Sequence, residues 1–113
     1  MLQIGGGMAL FDSANVLSLN GEIDLHVSSD VDLLLTSLIA KRPKQVVIDL
    51  SGVTFIDSTG LAVLIHALQN VQEYGGCLLL CGVNDDVRPI FTMARLDQVF
   101  VIDPRDDGLL AAN

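Results

Sequence analysis

Four consecutive residues of this 113-residue chain, Asp57-Ser58-Thr59-Gly60, are the strongest candidates for a site of covalent modification or binding. They lie between a strand-like run and a periodic helical run, and ligands and modifications in α/β sheets gather at the carboxyl ends of strands. A helix start presents free amide donors and partial positive charge, so a phosphate on Ser58 would be tolerated there. Gly60 would leave the backbone open to close approach by another chain. Helix capping alone also explains Asp and Ser at this place.

The neighbours of Ser58 are acidic. No basic residue is close to it in the sequence, whereas Asp57 adjoins it and Asp24 would do so if the fold brings it near. Both carboxylates would repel a phosphate group. Phosphorylation of Ser58 is therefore expected to break a contact with another protein instead of making one.

Enzyme and metal chemistry are poorly supported by the other polar residues. A nucleophile elbow needs Gly-x-Ser-x-Gly, and Ile56 stands where its first glycine would be. His66 falls about two turns along the same helix as Ser58, where a surface histidine is expected, and His26 precedes the first helix. The acidic pairs 85–86 and 106–107 are adjacent in sequence and do not converge on one ion. We expect no catalytic residue, no metal and no cofactor.

The elements that must position these residues alternate between strand and helix patterns. The prediction begins with an antiparallel hairpin of strands 8–11 and 16–23, followed by a helix that is capped by Ser28-Ser29-Asp30 and stopped at Pro43. A strand at 46–50, a turn at Ser51-Gly52 and a helix from about 59 to 74 come next. The last predicted elements are a strand at 77–81, a helix capped by Asn84 and a strand at 99–102. Such alternation implies parallel crossover units. We predict one small layered α/β domain over 1–113, with a mixed sheet, an atypical first strand in 1–14 and a tail at 104–113.

Composition narrows the possible partners and the compartment. The chain has 14 acidic and 6 basic residues, a net charge of -8, so nucleic-acid and membrane-surface binding are both unexpected. No apolar stretch approaches the roughly 20 residues of a membrane helix, and residues 1–10 lack the basic start of a signal peptide. Cys77 and Cys81, about 13 Å apart along one strand, are expected to be buried free thiols. The prediction is a cytoplasmic chain without membrane insertion.

Three segments of the chain resemble one known family. Residues 47–61, which contain Asp57-Ser58-Thr59-Gly60, resemble the central stretch of bacterial anti-sigma-factor antagonists, which are single STAS domains. Residues 19–24 resemble the family's strand that ends in Gly-Glu-(Leu or Ile)-Asp, here at Asp24. Residues 87–100 resemble its last helix and strand. The resemblance covers nearly the whole chain from about residue 15.

The resemblance implies a partner switch controlled by phosphorylation. Unphosphorylated family members bind an anti-sigma factor that is also a serine kinase, and so release a sigma factor. The kinase then phosphorylates the serine of the motif, here Ser58, and a serine phosphatase reverses the step. The resemblance makes Thr59 a secondary phosphorylation site, makes Asp24, Asp57, Thr59 and Gly60 the partner surface, and assigns no catalysis to the domain.

A second role stays open. The same domain serves as a STAS subunit of membrane ABC transport complexes, where its role would be constitutive and structural. In that case Ser58 would only cap a helix. Phosphorylation at Ser58 distinguishes the two roles.

Overall fold

The computed structural model describes residues 2–4, 7–12 and 15–103, so the predicted tail and two of the three N-terminal glycines lie outside the described residues. Its elements in chain order are β1 (Leu2–Ile4), β2 (Gly7–Asp12), β3 (Val16–Ile23), α1 (Ser28–Ile39), β4 (Gln45–Ile56), α2 (Ser58–Glu73), β5 (Cys77–Cys81), α3 (Arg88–Met93), a 3-10 helix (Leu96–Gln98) and β6 (Val101–Ile102).

The described strands form one sheet in the order β1-β2-β3-β4-β5-β6. The four strands β3 to β6 are parallel to one another. Among the described strands, antiparallel pairing is confined to the N-terminal part. There β1 pairs with β2, and β2 pairs with β3 in a register that places Met8 opposite Asn20. β1 is an additional strand that the sequence pattern does not indicate. Helices between the parallel strands make this an α/β domain, as expected from the alternating pattern.

The predicted turn at Ser51-Gly52 is wrong, because β4 runs unbroken for twelve residues. At two places β4 has one residue more than the paired segment of β3, and each extra residue forms a bulge. The Asn84 side-chain amide donates to the carbonyls of Leu50, Ser51 and Val53 at 3.4, 3.2 and 2.9 Å, which satisfies backbone groups that the bulge frees. The long β4 therefore leads directly to Asp57.

Helix starts also differ from the prediction. No side-chain hydrogen bond caps α1, whose N-cap is Val27, so the expected caps Ser28-Ser29-Asp30 lie inside the helix. Asn84 accepts a hydrogen bond from the Asp86 amide at 2.8 Å, but this forms a turn before α3, which begins at Arg88. In both cases a backbone turn precedes the helix and replaces the expected side-chain cap.

The main core lies where α1 and α2 pack against the parallel strands. Its largest fully buried side chains include Leu17, Leu19, Ile23, Leu35, Ile48, Leu50, Ile56, Leu64, Leu78, Leu80 and Phe91. Cys81 is buried, but Cys77 is exposed, so the prediction of two buried thiols is wrong for Cys77, the first residue of β5. Within the described ranges, none of the helices has both the length and the apolar character to cross a bilayer.

Candidate functional site

Asp57 fixes the start of α2. The residue follows the last residue of β4, and its extended backbone (φ -94°, ψ -175°) makes it the N-cap of the helix. Its Oδ1 atom accepts hydrogen bonds from the amides of Thr59 and Gly60 at 2.9 and 3.0 Å. Its Oδ2 atom accepts from the amide of Leu25, in the loop after β3, at 3.1 Å. One carboxylate therefore caps the helix and joins it to a loop 32 residues away in sequence.

These hydrogen bonds favour the ionised carboxylate. The Thr59 hydroxyl has the largest effect, and with the Gly60, Leu25 and Thr59 amides it lowers the pKa of Asp57 below the usual 3.8, against a smaller opposing effect of desolvation. Asp57 is therefore negatively charged at neutral pH. The unmodified Ser58 therefore adjoins a negatively charged side chain.

The two hydroxyls of the motif are placed differently. Ser58, the first residue of α2, is exposed, and no side-chain hydrogen bond joins it to any residue that the structure describes. Thr59 is half-buried, and its hydroxyl donates to the Asp57 carboxylate at 2.5 Å. Ser58 is thus the hydroxyl that another protein can reach.

Gly60 is buried under this start of the helix. A Cβ atom here would lie 2.5 Å from the Ile23 carbonyl oxygen and 2.8 Å from the Cγ2 atom of Ile56. The absence of a side chain lets α2 pack closely on the end of β3. Contrary to the expectation from the sequence, Gly60 does not line the exposed surface but supports it from below.

Asp24 lies in the loop that Asp57 holds. Its Oδ1 atom accepts a hydrogen bond from the His26 amide at 3.0 Å. Between them, Leu25 is 67 % exposed although it is apolar. Asp24, Leu25, Asp57 and Ser58 together form what we call the Ser58 surface.

The apolar residues of this region are not predicted by the sequence pattern. Leu25 belongs to the Ser58 surface, and Phe55, near the end of β4, is 44 % exposed. Periodicity cannot separate an exposed apolar residue at a strand end from a core residue, because both fit the same pattern.

His66 is a surface residue, as predicted, but it is not isolated. Its Nδ1 atom is 3.2 Å from the Asp32 carboxylate, so it joins α2 to α1. The pair borders an open groove of about 340 Å³ that Ser28, Ser29, Ala62 and Val63 also line. In the part of the chain that the structure describes, no cluster of three or more His, Cys, Asp or Glu side chains could hold a metal.

Comparisons with known proteins agree with this architecture. The STAS domain matches residues 9–107. The chain is 30 % identical over 88 residues to the anti-sigma F factor antagonist of Paenibacillus polymyxa, covering 77 % of this chain and 75 % of that protein. It is 34 % identical over 90 residues to the intermembrane phospholipid transport system binding protein MlaB of Escherichia coli (strain K12), covering 79 % and 86 %. A crystal structure of an anti-sigma factor antagonist from Mycobacterium paratuberculosis superposes with a TM-score of 0.76 and 25 % identity, covering 89 % and 86 %. The chain belongs to the STAS domain family.

Proposed function

We propose that this chain is a phosphorylation-controlled partner-switching protein of the anti-sigma-factor antagonist type. Unphosphorylated, it binds an anti-sigma factor that is also a serine kinase, and a sigma factor is released. Phosphorylation of Ser58 ends the binding, and a serine phosphatase restores it. The observation that carries the proposal is that the Ser58 residue is exposed, while the neighbouring Asp57 side chain caps the helix. The role requires no catalysis by this chain and places it in the cytoplasm with its partners.

The geometry favours Ser58 over Thr59 as the phosphorylated residue. A kinase must bring the hydroxyl oxygen in line with the γ-phosphate of ATP. Ser58 can be reached without breaking a contact, whereas Thr59 would first have to release its hydrogen bond to Asp57. Thr59 remains the secondary site in this proposal.

Charge explains how phosphorylation would end binding. A phosphate adds about -1.5 to -2 charges. Among the ion pairs of the described residues, Asp57 has no Lys or Arg partner, and Asp24 has only His26, at 3.7 Å. A partner that accepts this acidic surface must then accept or desolvate the added charge as well. Each 1.4 kcal/mol lost weakens binding about tenfold, so a few kcal/mol would separate the pair without unfolding the domain.

The first experiment tests the site of modification. The purified chain is incubated with ATP and an anti-sigma-factor kinase from the genome that encodes it, then examined by intact mass and peptide mapping. We expect one phosphate, on Ser58. Ser58→Ala should abolish it, while Thr59→Val and Ser37→Ala should retain it. Ser37 is the matched control because it is also an exposed helical serine. A chain that no such kinase modifies contradicts the proposal.

The second experiment tests the switch by titration calorimetry with the same kinase. Ser58→Asp should weaken binding at least roughly tenfold, and Ser58→Ala should bind like the unmodified chain. Ser37→Asp adds the same charge on α1 and should leave the affinity unchanged. Equal affinities for the unmodified chain, Ser58→Asp and Ser58→Ala would remove the switch.

A second candidate function rests on the similarity to MlaB, which extends over 86 % of that protein at 34 % identity. In this role the chain would be a constitutive subunit of a membrane ABC transport complex. Affinity purification of the tagged chain from its own cells separates the two. Co-purification of a permease and its ATPase, unaffected by Ser58→Asp, favours the transport subunit. Co-purification of a kinase that Ser58→Asp prevents favours the partner switch.

A further inference from the structure

Basic residues are concentrated at the end of the sheet that lies away from Ser58. Of the six Lys and Arg residues in the sequence, Lys41, Arg42 and Lys44 fall within four positions. They lie between the end of α1 and the start of β4, and all three are exposed. Ser58 follows the other end of β4. The full length of the longest strand therefore separates this basic segment from the Ser58 surface.

The basic segment borders an open cleft of about 250 Å³, lined by Arg42, Lys44, Tyr74, Gly75 and Gly76, which we call the basic cleft. The Arg42 guanidinium lies over the Tyr74 ring, 5.3 Å from its centroid. The Tyr74 hydroxyl donates to the Pro43 carbonyl at 2.7 Å. A Cβ atom on Gly76 would lie 2.8 Å from the Cε1 atom of Tyr74 and 3.1 Å from that carbonyl. The cleft is therefore held in shape before any partner arrives.

Lys41, Arg42 and Lys44 form no ion pair with a residue that the structure describes, and the Arg42 guanidinium instead contacts the Tyr74 ring. This is unexpected in a chain with 14 acidic residues. Ion pairs elsewhere among the described residues join His26 to Asp24 and His66 to Asp32. Arg42 also has a left-handed backbone (φ 54°), a conformation that glycine or asparagine usually takes at a helix end. Basic side chains complement the carboxyl ends of helices, but that role does not require an open cleft.

We propose that the basic cleft binds an acidic peptide segment of a second partner protein, separately from the Ser58 surface. Arginine pairs with carboxylates in a planar, bidentate geometry, and Lys44 adds a second cation beside it. The cleft is smaller than the roughly 300–1,000 Å³ of pockets that enclose small molecules, so it suits a side chain of a peptide lying across it.

Other anionic partners fit less well. Membrane-binding clusters use about 4–8 Lys and Arg residues, and this segment has three. DNA affinity grows with the number of phosphates that Lys and Arg side chains neutralise, and this segment offers only three such side chains. The acidic remainder of the domain would repel both polyanions, whereas a short peptide meets only the charges near the cleft, which are Lys41, Arg42 and Lys44 with Glu73 beside Tyr74. A partner in the basic cleft and another on the Ser58 surface could bind at the same time.

The test is an NMR titration of the full, isotope-labelled chain with a peptide of alternating Asp and Gly. The matched control peptide has Asn in place of Asp. We expect backbone amide signals of residues 41–44 and 74–76 to move with the acidic peptide and to stay in place with the neutral one. Arg42→Gln should weaken binding at least roughly fivefold, the loss of a charge-assisted pair. Arg95→Gln is the control, since Arg95 is also exposed and left-handed (φ 59°) but does not line the basic cleft.

Several results would overturn the proposal. The proposal is wrong if the neutral peptide binds as tightly as the acidic one, or if Arg95→Gln loses as much affinity for the acidic peptide as Arg42→Gln. It is also wrong if the signals that move belong only to residues outside 41–44 and 74–76. Binding of anionic vesicles or single-stranded DNA through Arg42, without binding of the acidic peptide, would replace the proposed partner with that polyanion. Because the wild-type signals locate the site, the test stands even if Arg42→Gln does not fold. Ser58→Asp should leave the peptide affinity unchanged; a loss would show that the two surfaces are not separate.

Discussion

The two long helices begin alike in sequence and differ in what they expose. Each starts with a serine after a parallel strand, Ser28 in α1 and Ser58 in α2. Ser28 is 8 % exposed, and its hydroxyl donates to the Leu25 carbonyl at 3.5 Å. Ser58 is exposed and has no such partner among the described residues. A serine at the first position of the helix is therefore buried in α1 and exposed in α2.

The difference comes from how each helix start is stabilised. In α1 the buried side chain of Val27 occupies the N-cap position, and the Asp24 carbonyl accepts hydrogen bonds from the amides of Val27 and Ser28. In α2 the Asp57 side chain supplies the cap. Because Asp57 does the capping, the Ser58 hydroxyl is left without a structural task. A serine can be available for modification when its neighbour holds the helix.

The largest expected effect compares an added charge at the two serines. Ser28→Asp should destabilise the domain by about 2–4 kcal/mol, because Ser28 is buried and a carboxylate placed there would share its groove with the carboxylate of Asp32, to which His66 is already paired. Ser58→Asp should change the free energy of unfolding by less than about 0.5 kcal/mol, as for other surface substitutions. Urea denaturation at pH 7 measures both. Similar losses at the two positions would mean that Ser58 is not freely accessible.

The third residue of each helix gives the next largest effect. Gly60→Ala should cost about 2 kcal/mol, because its methyl group would collide with the Ile23 carbonyl and the Ile56 side chain. The equivalent residue of α1, Asp30, is exposed, so Asp30→Ala should cost clearly less. Urea denaturation again provides the measurement. A neutral Gly60→Ala variant would contradict the close packing of α2 on β3.

Removing the cap of α2 should have an intermediate effect that depends on pH. Asp57→Ala should lower the melting temperature by about 5 °C at pH 7, the usual loss for an N-cap in a domain of this size. The pKa of Asp57 is lowered in the folded protein, so its stabilisation is complete above the usual value of 3.8 and is lost as the pH falls through the lower folded value.

Melting curves of wild type and Asp57→Ala between pH 7 and pH 2 test this pH dependence. The difference between the two proteins should stay constant down to about pH 4 and shrink below it. Subtracting the curves removes the titration of carboxylates that both proteins share. A difference that grows on acidification would show that the folded carboxyl has a raised pKa instead.

The smallest expected effect is that of Ser58→Ala on stability. Were Ser58 the cap, its loss would cost about 0.5–2 kcal/mol. Since Asp57 is the cap, we expect less than about 0.5 kcal/mol, measured by urea denaturation. A larger loss would show that the Ser58 hydroxyl stabilises the start of the helix.

Much of the fold could be predicted because it depends on local patterns. The apolar stripe of α2 and the β-branched run at the start of β4 identify a helix and a buried strand without knowledge of the rest. The motif at residues 57–60 is also a local feature, because its four residues are consecutive in the sequence. The prediction of a turn at Ser51-Gly52 was wrong because bulges let the strand continue through these turn-forming residues. The Asn84 side chain, which is distant in sequence, stabilises the bulged region by a hydrogen bond to the Val53 carbonyl.

The element types, their alternation, the acidic charge and the position of Ser58 at a helix start follow from the amino-acid sequence without any structure. Local periodicity and residue type are sufficient for these properties. The folded structure was needed to show that the Ser58 hydroxyl is exposed while that of Ser28 is buried, that Gly60 allows close packing, and that Leu25 belongs to the Ser58 surface. These depend on contacts between residues distant in the chain, such as Asp57 with the Leu25 amide 32 positions away. No window along the sequence contains both partners of such a contact.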